Sequence, residues 1–237
     1  MDHPSRVTQR SRQGIRNRMN RIPEPELMDE SAQALAYSEA DFAEPHDRFV
    51  ALCEEHVGPD GLAGTVLDLG CGPADVTVRL ARRFQRAVFH GVDGAEAMLA
   101  HGRTRVAREG LGDRIRLVRA VLPGDAPPLD AYDGVVSNSL LHHLHDPTVL
   151  WDAVARRAKA GAPIFVMDLR RPASVDDARR LEQTYAGDEP EVLRRDFFDS
   201  LCAAFMPDEV GAQLRKVGLA LEVIEVGDRH LVARGRR

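Results

Sequence analysis

Two carboxylates, each closing an apolar run, and the glycines beside the first carry the clearest chemical signal in this chain. The run Val66-Leu67-Asp68-Leu69 passes into Gly70-Cys71-Gly72-Pro73-Ala74 and then into a helical stretch, Asp75 to Phe84. Gly70 and Gly72 allow the backbone to turn tightly and approach a ligand closely, where a side chain would occupy the ligand's place. A second run, ending Gly91-Val92-Asp93, puts its acid 93 − 72 = 21 residues after Gly72. That is the spacing of a carboxylate that accepts hydrogen bonds from ribose hydroxyls. Each signal has a plainer reading. The first could be a simple strand-to-helix turn, and Asp93 could cap the helix from Ala95 to Ala107. Both in register point to a nucleoside-bearing ligand.

A dinucleotide with a pyrophosphate is disfavoured. The dinucleotide fingerprint needs glycine or alanine at its sixth position for close helix packing, and counting from Gly70 that position is Asp75. An acid at a helix N-terminus would also repel phosphate. A cationic ligand would gain from the same acids.

A third cluster, Asn138-Ser139-Leu140-Leu141-His142-His143-Leu144-His145-Asp146-Pro147, follows the fourth strand candidate. This is the carboxyl edge, where open α/β sheets bind ligands. Asn138 and His142 are expected to face cofactor or substrate there, with capping or packing as the alternative. His142, His143 and His145 stand at i, i+1 and i+3, a spacing that does not by itself aim all three at one centre, so no metal is expected. Asp168, in Val166-Met167-Asp168-Leu169-Arg170-Arg171-Pro172, also ends a strand and could orient a substrate amine or hydroxyl, or serve as a capping or arginine-paired acid. Arg170 and Arg171 could hold a carboxylate or phosphate, with a surface role for at least one.

These positions require a particular scaffold. Strands are predicted at Thr65–Leu69, Ala87–Val92, Ile115–Val121, Gly134–Ser137 and Pro163–Met167, rich in Val, Ile or Leu and separated mostly by stretches of helical spacing. Parallel strands buried on both faces give this pattern. The last pair, Ala220–Val226 and His230–Ala233, is joined by Gly227-Asp228-Arg229, too short for a crossover helix, and so forms an antiparallel hairpin. Upstream, helices are predicted from about Leu27 to Ala40 and from Pro45 to His56. The first, with Tyr37 and Phe42, would lie as a lid over the ligand opening or merely cover an apolar edge. The insertion Val175–Phe205, with Tyr185, Asp196, Phe197 and Phe198, is expected to form the other wall.

The motifs DLGCGPA, GVDGAEAML and SNSLLHHLHDP resemble the successive cofactor motifs of the class I S-adenosylmethionine (SAM)-dependent methyltransferases, over about Leu62 to Arg234. The resemblance implies an α/β fold: a Rossmann-like, seven-stranded, mostly parallel sheet with a C-terminal antiparallel hairpin, helices on both faces and an N-terminal helical lid. It implies SAM as cofactor and S-adenosyl-L-homocysteine as product. It sets Asp68 and Gly70 by the methionine moiety, Gly72 beside the sugar, Asp93 on the ribose and the end of the third strand by the adenine. Cofactor contacts are accordingly expected from Asp68, Gly70, Cys71, Gly72, Asp93, Gly94, Met98, Ala120, Val121, Asn138 and Ser139, and catalytic roles from His142, Asp168 and Tyr37. This chain departs from the family pattern twice. Ala74 stands at the third glycine, a change that leaves room near the cofactor. Arg119-Ala120-Val121-Leu122 has no acid for the adenine amino group, so adenine recognition would rely on backbone atoms.

Composition bounds the rest. The 237 residues suit one α/β domain with an appendage, divided as a basic arm (1–25), a helical lid (26–60) and a methyltransferase domain (61–237). A net charge of -5 gives no global attraction to nucleic acid or membrane, and no apolar run approaches a bilayer span. Cys53, Cys71 and Cys202, odd in number and without a CxxC pair, indicate free thiols in a reducing, cytoplasmic setting. The expected reaction is methylation of a small-molecule acceptor at oxygen, nitrogen or sulfur by a monomer or homodimer. One rival is an RNA methyltransferase using the arm with Arg6, Arg10, Arg12, Arg16, Arg18 and Arg21. The other is a catalytically silent SAM-binding regulator.

Overall fold

The computed structural model describes residues 19–237. Seven strands form one sheet: β1 (Gly64–Leu69), β2 (Ala87–Asp93), β3 (Ile115–Arg119), β4 (Gly134–Asn138), β5 (Pro163–Leu169), β6 (Glu222–Val226) and β7 (His230–Arg236), in the order β3-β2-β1-β4-β5-β7-β6. β1 to β5 pair in parallel, whereas β7 runs antiparallel to both β5 and β6. The fold class and the closing hairpin agree with the expectation from sequence. The strand order reverses between β1 and β4, both of which are preceded or followed by helical crossovers, so the crevice at their carboxyl ends is the ligand position of open α/β folds.

Alternation along the strands divides the core. Leu67 and Leu69 of β1 face one cluster with Trp151, Ile164 and Val166, and Val66 faces the other with Phe49, Phe89 and Phe165. Asp68 shares the face of Val66 and is buried, so it needs a partner there. It finds one in Thr77.

Among the described residues eight helices pack around the sheet: α1 (Ser31–Glu39), α2 (Ala43–Val57), α3 (Asp75–Arg83), α4 (Glu96–Arg108), α5 (Thr148–Arg157), α6 (Val175–Ala186), α7 (Glu191–Ala203) and α8 (Pro207–Val217). Helix α2 buries His46, Phe49, Cys53 and Val57, one stripe at helical spacing, with Phe49 edge-on to Phe165 at 5.1 Å between ring centroids. The insertion is a helical pair, α6 packed on α7, and α7 in turn packs against α1 and a 3-10 turn, Leu141–His143.

Several boundaries differ from the sequence expectation. The first helix begins at Ser31, not Leu27, because Leu27 and Met28 lie against the cavity and Glu30 is extended (ψ 124°) before the helix starts. β3 stops at Arg119: Ala120 still donates to the Asp93 carbonyl (2.9 Å), but Val121 is then folded back by Asp125 Oδ2 (2.9 Å). β6 starts at Glu222, two residues later than expected. Cys53, Cys71 and Cys202 are free and buried. Among the described residues no helix is long and apolar enough to cross a membrane. Arg6, Arg10, Arg12, Arg16 and Arg18 of the basic arm lie outside the described residues.

Candidate active site

The carboxyl ends of β1, β2, β3 and β4 open into one cavity. The turn after β1 builds its floor. Gly70 has φ 71° and Gly72 φ 51°, both in the left-handed region that glycine adopts freely. They differ in what surrounds them. A Cβ on Gly70 would lie 2.8 Å from Leu140, whereas one on Gly72 would meet no protein atom within 4 Å. The space over Gly72 belongs to the cavity, which is what a group seated on the turn requires. Ala74 also has φ 60°, so the alanine that replaces the third glycine carries a left-handed backbone that glycine would adopt without strain.

Asp93 fastens this turn to the neighbouring strand. Its Oδ2 accepts from the Gly72 amide (2.8 Å) and its Oδ1 from the Ala95 amide (2.8 Å). The helix-capping reading and the turn-binding reading are therefore both realised, by different oxygens. The Gly94 amide also bonds this carboxylate, which keeps capacity for a further hydroxyl donor. Burial raises the Asp93 pKa, against the pull of these amides. Asp68 is more extreme: burial pushes its carboxyl up to about 7, even though Thr77 Oγ1 donates to it at 2.5 Å. The cavity thus holds a carboxyl that a bound cation would ionise.

The sequence-predicted cofactor residues converge. Asp68, Gly70, Cys71 and Gly72 line the floor. Asp93, Gly94 and Met98 form one side, Ala120 and Val121 the far end, and Asn138 and Ser139 the opposite side. Ser139 has φ 55°, and its amide donates to the Met167 carbonyl (3.0 Å), which fixes the chain as it leaves β4. Leu27, Met28, Tyr37 and Phe42 lie against the cavity from the N-terminal segment, with the Tyr37 and Phe42 rings 4.6 Å apart. Burial and three nearby aspartates push the Tyr37 phenol up to about 12. Among the described residues the cavity lining takes nothing from α6 or α7, which corrects the expectation that the insertion walls the site.

Two of the three predicted catalytic residues are also displaced. His142 and Asp168 lie outside the lining, both buried, with His142 Nδ1 2.5 Å from Asp168 Oδ1. Asp168 further accepts from the amides of Leu141 (2.7 Å) and Leu169 (2.7 Å), so its carboxylate is committed to the protein. The cause is the 3-10 turn, which rotates successive side chains by a third of a revolution. His142 points inward and His143 toward the cavity. Burial opposes a charge on His142, but Asp168 and Glu24 outweigh it and raise its pKa; burial and the neighbouring His142 push His143 down to about 3. Arg171 is likewise internal, holding the carbonyls of Met19 (3.0 Å) and Ala204 (2.9 Å) and Glu209 Oε1 (2.6 Å). Arg170 bonds the Asp228 carbonyl (2.9 Å).

Sequence reasoning read Asp75 as an acid at a helix N-terminus but missed the basic side chains that pair with it at the cavity mouth. Asp75 receives His46 Nδ1 (2.6 Å), Arg79 Nε (2.7 Å) and Arg105, and these partners hold its carboxyl well below the usual range in spite of burial. Arg79 at i+4 was a legible helix pair. His46 and Arg105 come from other helices, and nothing local announces them.

The comparisons with known proteins agree with this arrangement. Residues 66–161 match the family model described as a methyltransferase domain. The chain is similar to trans-aconitate 2-methyltransferase of Variovorax paradoxus, 34% identical over 131 residues that cover 54% of this chain and 46% of that one. It is also similar to the ubiquinone biosynthesis O-methyltransferase of Pseudomonas fluorescens, 28% identical over 69% of this chain and 68% of that one. The match spans about half the length of most of the curated relatives named alongside these. Among solved structures, a SAM-dependent methyltransferase from Aquifex aeolicus superposes with a TM-score of 0.63 at 17% identity, covering 87% of this chain and 98% of that one. The plantazolicin methyltransferase BpumL, in complex with S-adenosylhomocysteine, gives 0.65 at 10% identity over 87% and 90%. These structural likenesses establish the fold, that of solved SAM-dependent methyltransferases, and residues 66–161 carry the matched methyltransferase domain.

Proposed function

We propose that the protein transfers the methyl group of SAM to an oxygen, nitrogen or sulfur atom of a small-molecule acceptor, with the cofactor over the Gly70–Gly72 turn and the acceptor beneath residues 27–42. The observation that supports this most directly is the space over Gly72, beside a carboxylate anchored on the Gly72 amide. SAM would supply an electrophilic methyl on a sulfonium. The chain's own residues do the rest. Asp93 presents its remaining acceptor capacity to the ribose hydroxyls, and Asp68 gives a carboxylate to the cationic amino-acid end. Met98, Ala120 and Val121 sandwich the adenine with backbone atoms as its polar contacts, since β3 brings no acid there.

On the acceptor side, Leu27, Met28 and Phe42 exclude water and favour an apolar body, and Tyr37 acts as a hydrogen-bond donor because its phenol stays protonated through neutral pH. Methyl transfer from a sulfonium depends chiefly on in-line placement, so holding the acceptor is the main task of these residues. With His142 and Asp168 turned inward, His143 is the histidine of this segment that borders the acceptor space. The small-molecule acceptors named for the relatives, aconitate and a ubiquinone precursor pathway, make hydroxyl and carboxyl oxygens the first to test.

The RNA-directed rival is weakened at Arg21, the one arm arginine among the described residues. Its guanidinium bonds the carbonyls of Ala203 (2.6 Å), His142 (2.8 Å) and Leu144 (2.9 Å) and lies over the Phe205 ring, so it faces protein and not phosphate. The deciding experiment offers labelled SAM and a panel of small hydroxy acids, phenols, amines and thiols to the purified protein. Turnover of any of them supports the reading. SAM binding without turnover of a metabolite extract favours a regulator, and label appearing only in added RNA favours the rival.

A further inference from the structure

The histidine cluster was not expected to hold a metal, because the i, i+1 and i+3 spacing of His142, His143 and His145 does not by itself aim all three at one centre. The fold brings a different third donor. The N-terminal segment crosses under the 3-10 turn and delivers Glu24, whose Oε1 lies 3.5 Å from His142 Nε2 and 3.3 Å from His143 Nδ1, all three atoms within 4.8 Å of one another. Two donors of a tetrahedral zinc ion, each ~2.0–2.1 Å from the metal, are roughly 3.3 Å apart.

The hydrogen bonding shows that these three atoms are set aside. His142 gives its Nδ1 to Asp168, and the Pro25 backbone bonds the other side of the His143 ring. With both rings neutral, as a bound metal would hold them, the facing nitrogens present lone pairs toward the Glu24 carboxylate oxygen. Glu24 Oε1 and His143 Nδ1 are buried without a hydrogen-bond partner. Electron pairs converging in a dry pocket repel unless something positive lies between them. The outer contacts have the arrangement of a metal's second shell, with a carboxylate fixing one imidazole and a carbonyl region the other. The strap is itself held in place: Glu24 Oε2 accepts from Ser200 (3.2 Å), the Glu24 carbonyl from His145 Nε2 (2.8 Å), and the Ile22 amide bonds the Cys202 carbonyl (3.0 Å).

We propose that Glu24 Oε1, His142 Nε2 and His143 Nδ1 form a binding site for one divalent transition-metal cation, zinc being the best match, at the acceptor end of the cavity. Two imidazoles and one carboxylate suit zinc or a similar borderline cation, and disfavour magnesium and calcium, which take oxygen donors. Three protein ligands leave a coordination position, and His143, which lines the cavity, sets the ion beside the space assigned to the acceptor. The site follows from its own geometry and stands apart from the choice of acceptor.

The full chain, freed of metal with a chelator, is titrated with Zn²⁺ against a chromophoric competitor, and separately with Co²⁺ while the visible ligand-field bands are followed. The wild type is expected to take up one equivalent with four-coordinate cobalt bands. E24Q and H143N should each lower the affinity by about 100-fold or more, and D168N by ~10–100-fold, as for loss of an outer-shell partner. Thermal unfolding of the metal-free variants checks that each still folds; H143N, whose ring is nearest the cavity, serves if E24Q does not. Uptake unchanged in the E24Q/H143N double variant, or no uptake by the wild type, would overturn the proposal and leave a shared proton as the occupant.

Discussion

The two halves of the cavity use carboxylates in opposite ways. On the β1–β2 side, Asp68 and Asp93 line the cavity and are raised in pKa by burial with no basic side chain among the described residues paired to them, so they are short of positive charge. On the β4–β5 side, Asp168 is saturated by two amides and an imidazole and faces away from the cavity. An acid with unspent acceptor capacity is available to a ligand, and an acid whose lone pairs are filled by the fold holds the fold. Position at a strand end did not distinguish them.

Substitutions should separate these roles. Asp168→Ala leaves a buried imidazole and two amides without their acceptor, and should cost about 3–5 kcal/mol of stability by denaturant unfolding. In the variant's remaining folded fraction SAM affinity should change less than threefold; a large loss of affinity with unaltered stability would erase the contrast. Asp93→Ala should do the reverse, lowering SAM affinity in calorimetry by about 100-fold, or ~2.7 kcal/mol, with a smaller effect on unfolding. An unchanged affinity would mean that this carboxylate does not face the ribose.

Gly70 links the halves, since its missing Cβ is where Leu140 packs. Gly70→Ala combines a left-handed backbone with that clash and should lower stability by ~1–3 kcal/mol, while the same change at Gly72, where an added Cβ meets no protein atom, should act on SAM binding more than on melting temperature.

The pH dependence tests Asp68. Its folded pKa, about 7, lies above the ordinary 3.8, so the fold prefers the protonated acid. This group's contribution therefore falls as pH rises from about 4 to about 7 and is constant above that. Binding a cation needs the carboxylate and so releases a proton below pH 7. SAM affinity should drop by roughly tenfold from its plateau to pH 6, one unit below that pKa, with proton release visible as buffer-dependent calorimetric enthalpies. A flat profile would place the charged end of the cofactor elsewhere. The smallest effect is expected from Tyr37→Phe, a change in kcat/KM of no more than about tenfold, the loss of one hydrogen bond, since a phenol that titrates near 12 is not the proton acceptor.

What the linear chain determined was the part governed by local rules. Apolar runs with glycine turns specify strands and their carboxyl ends, and the fixed separation of Gly72 and Asp93 survives folding because β1 and β2 are adjacent and in register, Asp68 opposite Gly91 and Leu69 opposite Val92. Every cofactor residue read from those motifs lies on one cavity for that reason. The histidine segment was legible only as a place. Whether His142 or His143 faces the cavity depends on the rotation of a single 3-10 turn, and that rotation is set by Asp168, 26 residues away in sequence. The donor that completes the histidine pair, Glu24, sits more than a hundred residues upstream, in a segment with no periodicity of its own. His46 and Arg105 reach Asp75 from separate helices in the same way. Strand pattern is a property of neighbours along the chain, and the partners of a buried charge are chosen by packing in three dimensions.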